Sequence, residues 1–223
     1  MTEVILGIDT STRISVGIAR DGVAVAGVIT GDSRSHAEML MPTIEHIMDV
    51  TGVTMDDLSG IGVGMGPGPF TGLRVGIVAA TTLGSVLTIP VYHVCSLDVL
   101  ALSVLSGAEN CDLGDDFIAC TDARRKEVYW AQYSSCGVRK AGPFVSDPRD
   151  LPDLVCYGPG VLAYPDAGLR TDPRLVNTDL CADVLAMSIH ALPDVGSQPL
   201  YLRHADATEP GSTKSVLPTE GQR

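Results

Sequence analysis

The sequence is short of aromatic rings, short of basic charge and without a Cys-x-x-Cys pair, and each shortage excludes something. Aromatic residues make up 4% of the 223 residues, against a hydrophobic fraction of 45%. A core of that composition is closed by small residues and near backbone approach more than by large rings. Lys and Arg number 15 against 27 Asp and Glu, a formal net charge of −12. Tight, direct nucleic-acid binding relies on many Lys and Arg contacts to phosphate, which this balance argues against. The cysteines, Cys95, Cys111, Cys120, Cys136, Cys156 and Cys181, are widely spaced. That spacing speaks against a zinc site or redox pair and for small buried thiols in a reducing cytoplasm. Glu3 and Asp9 interrupt the first apolar stretch and no basic region precedes it, so no signal peptide is expected. Val75 to Leu97 is uncharged and long enough to cross a bilayer. Thr81, Thr82, Gly84, Ser85, Thr88 and Pro90 interrupt it, and it reads as a buried helix followed by a buried strand, with no membrane contact. No serine sits in a Gly-x-Ser-x-Gly turn. His36, His46, His93, His190 and His204 form no ligand-spaced set, and His36 and His46 fall about 80° apart on a helix. Neither a metal nor a cofactor is expected.

The most distinctive stretch runs from Gly62 to Arg74 and holds five glycines and two prolines within its first eleven residues. Such a backbone turns sharply and lies close to something. It matches neither the dinucleotide fingerprint nor a P-loop, since no Gly-Lys-Ser/Thr follows. Around it the pattern predicts strands at Val4–Asp9, Ile14–Ala19 and Val23–Ile29, the last two joined by an Asp21-Gly22 turn. A helix over Ser35–Val50 follows, with a Ser35/Glu38 capping box. Then come a strand at Gly60–Val63, a helix at Val75–Leu87, a strand at Val91–Val94 and a helix at Ser96–Ser106. Antiparallel strands followed by alternating helix and strand predict a mixed-sheet α/β lobe. Asn110–Asp116 reads as a linker, after which the opening pattern recurs. Ile5–Asp9 aligns with Ile118–Asp122 at an offset of 113, and Ile14–Ile18 falls opposite Glu127–Ala131. The chain therefore divides into a first lobe at 1–108, a reduced related lobe at 109–203 and a tail at 204–223 expected to be disordered. The second lobe is thin: a Gly/Pro-rich loop after Tyr133, a strand near Leu154–Tyr157 and a helix at Cys181–Leu192.

Asp9 and Asp122 each stand at the end of an apolar strand. Two such carboxylates, one per lobe, could flank a cleft and hold Mg²⁺ with nucleotide phosphates, with Thr10, Ser11 and Thr12 as donors. Equally, each could cap a tight turn. Arg124-Arg125-Lys126 reads as a solvated turn. On the Ser35 helix, Leu40, Ile44 and Ile47 form a core stripe, flanked by Met39, Met41 and Met48. The resulting apolar arc of about 200° is roughly twice what one packed face needs, and methionines suit an adaptable partner surface. The helix at Val75 carries Gly76, Ala80 and Gly84 in a row that admits a close backbone.

Taken together, Ile8-Asp9-Thr10-Ser11, His36-Ala37-Glu38-Met39-Leu40-Met41-Pro42, Gly66-Pro67-Gly68-Pro69-Phe70-Thr71-Gly72-Leu73-Arg74-Val75-Gly76, the run Asp122 to Trp130 and Pro199-Leu200-Tyr201-Leu202-Arg203 closely resemble the bacterial TsaB (YeaZ) family. The resemblance extends to about Arg203. It implies an actin/Hsp70/sugar-kinase fold with two related lobes, the second reduced. It further implies a non-catalytic part in making threonylcarbamoyladenosine at the adenosine 3′ of the tRNA anticodon. In that family catalysis belongs to the paralogue TsaD, which docks on the two first-lobe helices, and the ATPase TsaE joins the pair. tRNA is then met only through the complex, and the same faces could form a homodimer when the chain is alone. Partner-face residues expected on this basis are Met41, Glu45, Met48, Val75, Gly76, Ala79, Ala80 and Thr82, with Met41→Glu and Ala80→Arg expected to break pairing and spare the fold. The catalytic paralogue carries Asn-His-x-x-x-His after its own Gly-Pro-Gly loop and helix; here Ser96 and Leu100 stand where its metal-binding histidines would be. Pro69 replaces a serine common in the family, which removes a hydroxyl and an N–H from the loop. The alternative is a small ATP-binding phosphotransferase that uses Asp9 and Asp122, with Thr10 in the same cleft.

Overall fold

The computed structural model describes residues 2–30, 36–108, 116–175 and 178–203. Its first sheet contains β1 (Val4–Asp9), β2 (Ile14–Arg20), β3 (Val23–Thr30), β4 (Gly60–Gly64) and β5 (Val91–Val94), in the order β3-β2-β1-β4-β5. The first three strands form an antiparallel meander, whose β2–β3 turn places Asp21 at φ 51° and Gly22 at φ 73°. Positive φ at both turn positions matches the right-handed twist of the strands it joins. The β1–β4 and β4–β5 pairs are parallel. The second sheet runs β8-β7-β6-β9, from β6 (Asp116–Arg124), β7 (Glu127–Ser134), β8 (Arg139–Ser146) and β9 (Val155–Tyr157). It repeats the connectivity of the first: an antiparallel meander with a parallel strand beside its first member. This duplicated mixed-sheet plan is the actin/Hsp70/sugar-kinase-like architecture, with the second sheet the smaller.

On one face of the first sheet, α1 (His36–Thr51) and α2 (Phe70–Leu87) cover Leu6, Ile8, Val16, Ile18, Ile61 and Val63. On the other lies α3 (Ser96–Gly107), between the two sheets. Its Leu97, Val99, Leu100 and Val104 are fully buried, as suits a helix apolar on most sides. A short α4 (Pro159–Ala163) packs on β6 and β9.

Four differences from the sequence reading have physical causes. The helix expected at Val75 begins at Phe70, directly after Pro69. β8 occupies part of what reads as a Gly/Pro-rich loop; Pro143 is tolerated there because β8 is an edge strand. Asp122 does not end its strand, since β6 continues to Arg124. The helix expected at Cys181–Leu192 contracts to α5 (Ala182–Met187) and packs on β1, β2 and β3 of the first lobe. A glycine row explains this return. Gly7 pairs with Gly17 and Gly62, and Gly17 with Gly27, so four adjacent strands present no side chain at one level. A Cβ on Gly17 would lie 2.0 Å from the Asp183 nitrogen, and one on Gly7 2.1 Å from the Ala182 oxygen. The helix lies directly on bare strand backbone. Ser35, with its capping box, most of the expected linker and the 204–223 tail fall outside the described residues.

Candidate docking face and inter-lobe cleft

The outer faces of α1 and α2 meet in an apolar groove of about 540 Å³, lined by Met41, Arg74, Val75, Val78, Ala79 and Thr82 among others. Helix α2 has a mean hydropathy of 1.5 over its 18 residues, yet only part of it faces inward. Leu73, Gly76, Ala80 and Gly84 are the buried side. On the opposite side Val78 is 62% exposed and Val86 74%, and on α1 Met39 and Met41 are 45% and 38% exposed. Among the described residues, nothing of the first lobe covers this apolar surface.

The small-residue row on α2 points inward, not outward. A Cβ on Gly76 would lie 2.5 Å from the Thr10 hydroxyl oxygen and one on Gly84 2.3 Å from Val91. Small residues on a helix over a sheet go where the strands are closest. Three residues expected at the partner face are therefore core residues: Gly76, Ala80 and Met48, the last two 0% and 6% exposed. Ala80→Arg would break the fold and not only a contact. Met41, Glu45, Val75, Ala79 and Thr82 do reach the surface, and Val78 and Arg74, absent from the expectation, join them. The exposed Val78 and Val86 lie on the side of α2 away from the small row, so orienting that row correctly finds them.

Asp9 and Thr10 also face inward. Asp9 is fully buried; the Ser11 amide and hydroxyl donate to Oδ1 at 2.7 and 2.6 Å, and the Ser96 hydroxyl donates to Oδ2 at 2.6 Å. Gly64 makes room for it, because a Cβ there would sit 1.6 Å from Oδ2. Ser96 Oγ in turn accepts from the Gly66 N–H at 3.0 Å, tying the Gly-Pro loop to α3. The Thr10 hydroxyl donates to the Gly72 carbonyl at 2.9 Å and accepts from the Gly76 N–H at 3.1 Å, tying β1 to α2. Both residues fasten the C-terminal end of β1 to the helices around it.

Burial pushes the Asp9 carboxyl above its ordinary 3.8, against the downward pull of the Ser11 and Ser96 hydrogen bonds. The folded state then holds this proton to higher pH than the unfolded chain. Its contribution to stability is complete below the unfolded value and is lost as pH rises through the folded value. In denaturant titrations, Asp9→Asn should lose less unfolding free energy than the wild type as pH is raised above about 4. Parallel slopes for the two proteins would contradict this.

Between the lobes lies a cleft of about 350 Å³, whose walls include Ser11, Thr12, Arg13, Asp122, Arg124 and Asp179. Of the expected carboxylates, only Asp122 reaches it. Asp122 Oδ1 accepts from the Arg124 amide at 2.7 Å and the Tyr164 hydroxyl at 2.8 Å, and Arg124 Nη1 lies 3.2 Å from Oδ2. Arg13 pairs with Asp179. Each cation on these walls is thus matched by a carboxylate of the chain, which leaves little positive charge for a polyphosphate. Ser96 and Leu100 are both buried, the first in the Asp9 network and the second against Gly158. Among the described residues, no three His, Cys, Asp or Glu side chains are grouped to hold a metal ion.

The C-terminal segment straps these parts together. The Val195 N–H donates to the His93 carbonyl at 2.9 Å and the Leu200 N–H to the Met65 carbonyl at 2.8 Å. Tyr201 then packs on α2, and Arg203 pairs with Glu127 while Nη1 donates to the Ala123 carbonyl at 3.0 Å. The Pro199–Arg203 motif thus spans both lobes.

Residues 29–160 match the family model described as TsaD, tRNA N6-adenosine threonylcarbamoyltransferase. A Mycobacterium tuberculosis protein described as uncharacterized is 43% identical over 209 residues, covering 91% of this chain and 93% of its own length. The Escherichia coli tRNA threonylcarbamoyladenosine biosynthesis protein TsaB is 35% identical over 130 residues, covering 58% of this chain and 54% of that protein. Among solved structures, YeaZ from Pseudomonas aeruginosa superposes with a TM-score of 0.71 at 27% identity, covering 90% of this chain and 100% of the other.

Proposed function

The chain belongs to the TsaB (YeaZ) family, and from that premise we propose that it acts in tRNA threonylcarbamoyladenosine biosynthesis as a scaffold that docks on TsaD and activates it. The observation that carries this reading is the apolar groove between α1 and α2, with Val78, 62% exposed, among the residues that line it. The TsaD model aligns over residues 29–160, the stretch that holds both helices. A TsaD protein would then offer an equivalent helix pair, and two such pairs meet naturally about a pseudo-twofold axis. An interface of standard size, about 1,600 Å² in total, suits the task.

The scaffold is non-catalytic in this reading. Ser96 and Leu100 occupy the positions of the paralogue's metal-binding histidines and serve packing and hydrogen bonding instead. The phosphotransferase alternative needs Asp9 in the cleft, whereas Asp9 is buried with both oxygens engaged. TsaE joins the TsaB–TsaD pair, and tRNA is met through the complex, consistent with a net charge of −12. The same groove would serve a homodimer when no TsaD is present, in the cytoplasm where tRNA is modified.

The test is to mix the purified chain with TsaD of the same organism and follow the pair by gel filtration and calorimetry. A 1:1 complex is expected, and the isolated chain should show no ATP hydrolysis that Asp9→Asn removes. Unchanged elution of both proteins would overturn the docking reading. Hydrolysis lost in a folded Asp9→Asn variant would favour the phosphotransferase.

A further inference from the structure

Among the described residues, Arg74 on the wall of the α1/α2 groove is a cation that faces no carboxylate. The Arg74 guanidinium carbon lies 3.7 Å from the centre of the Phe70 ring and 5.9 Å from that of Tyr201. Its Nε donates to the Tyr201 hydroxyl at 3.0 Å, and the two rings are themselves 4.8 Å apart. Other arginines of the chain face carboxylates: Arg13 pairs with Asp179, Arg124 with Asp122, Arg139 with Asp98, Arg149 with Asp147, Arg174 with Asp172 and Arg203 with Glu127. Among the described residues, no carboxylate lies within ion-pair distance of Arg74, in a chain with 27 acidic residues.

Stacking and the Tyr201 contact fix the plane of the guanidinium and occupy its Nε edge. The two terminal nitrogens remain, and they are the fork that grips a carboxylate in two parallel hydrogen bonds. A side chain held in one conformer loses little entropy when it binds, and a pre-ordered Arg beside Phe and Tyr has the composition of an interface anchor. Arg74 also lines the groove, so this cation is continuous with the apolar docking face.

Resting on the docking reading above, we propose that Arg74, held by Phe70 and the C-terminal strap residue Tyr201, is the specificity-determining cation of the TsaD-docking surface and takes a carboxylate from the docked TsaD. Arg74 makes the contact; Tyr201 is a positioning residue. The arrangement gives the Pro199–Arg203 strap a part in partner choice, since its Tyr201 orients the cation while Leu200 and Arg203 tie the same segment to the body of both lobes.

The test measures affinity of the full chain for TsaD, without tRNA, at low and high salt. The variants are Arg74→Met, which keeps the apolar stem, Arg74→Lys, which keeps only the charge, and Tyr201→Phe, which removes only the hydroxyl. Arg74→Met should weaken binding at least about tenfold and flatten its salt dependence. Arg74→Lys should restore the salt dependence with only part of the affinity. Tyr201→Phe should weaken binding about threefold with the salt dependence retained, and all variants should melt within a few degrees of wild type. If the wild type pairs and Arg74→Met pairs equally well, or with the wild-type salt dependence, this proposal falls while the docking reading stands. Wild-type pairing by Arg74→Met together with loss of tRNA by the assembled complex would make the anion a phosphate and overturn it too. Failure of the wild type to pair at all overturns both readings.

Discussion

Val78→Glu should abolish pairing with TsaD while the isolated chain melts at its wild-type temperature. Val78 is 62% exposed in the α1/α2 groove, so a glutamate is solvated in the free chain. Once a partner covers the groove, that carboxylate is stripped of water among Met41, Val75, Ala79 and Leu83. A buried, unpaired charge costs several kcal/mol, enough for about a hundredfold loss of affinity or more. Met41→Glu should act in the same direction with a smaller effect, because Met41, 38% exposed, is already more covered in the free chain than Val78. Ala80→Arg is the contrasting case: with no exposure for Ala80, arginine there should lower the melting temperature before any partner is added. Calorimetry with TsaD and a thermal melt on each variant separate the two behaviours. Wild-type affinity in Val78→Glu would remove this face from the interface.

Gly17→Ala is expected to be strongly destabilising for a single added methyl. Its Cβ would lie 2.0 Å from the Asp183 nitrogen and 2.4 Å from the Asp183 Cα, both backbone atoms of α5. A flexible side chain could turn aside, but a helix backbone seated on four strands must move as a unit. Overpacking of this kind typically costs about 1–3 kcal/mol, and the rigidity of the neighbour puts this site at or beyond the upper end. For a chain of this size that is a fall of about 6–12 °C in melting temperature. Gly22→Ala gives the control, since open space surrounds Gly22, though its φ of 73° adds a modest strain of its own. A Gly17→Ala protein as stable as wild type would mean that α5 does not lie on the glycine row.

These two sites show what was legible in the sequence and what was not. The strands of the first lobe and the duplication were visible because alternating apolar runs, an Asp-Gly turn and the Ile5–Asp9/Ile118–Asp122 echo are local signals. The glycine row is not local: Gly7, Gly17, Gly27 and Gly62 come together only through strand register, and α5 joins them from the far end of the chain. Nothing in the sequence around Ala182 announces that destination. The Gly-Pro loop is legible in the sequence, but its last residues are helical, with Gly72 serving close approach to Thr10 and His36 within the first turn of α2. The small row on α2 reads in sequence as an outward contact row, yet Gly76, Ala80 and Gly84 pack inward. Spacing reveals which residues share a face, but only packing decides which face looks at the core. In sequence, a strand-ending aspartate such as Asp9 looks the same whether it caps a buried network or holds a ligand; the Ser96 hydroxyl that engages Asp9 is 87 residues away in the chain.

The measurement that reaches furthest is reconstitution of tRNA threonylcarbamoylation from TsaD, TsaE and the carbamoyl-adenylate-forming enzyme, with and without this chain. The scaffold account predicts modification that requires the chain, survives Asp9→Asn and is lost in Val78→Glu. Modification that proceeds equally well without the chain would contradict it.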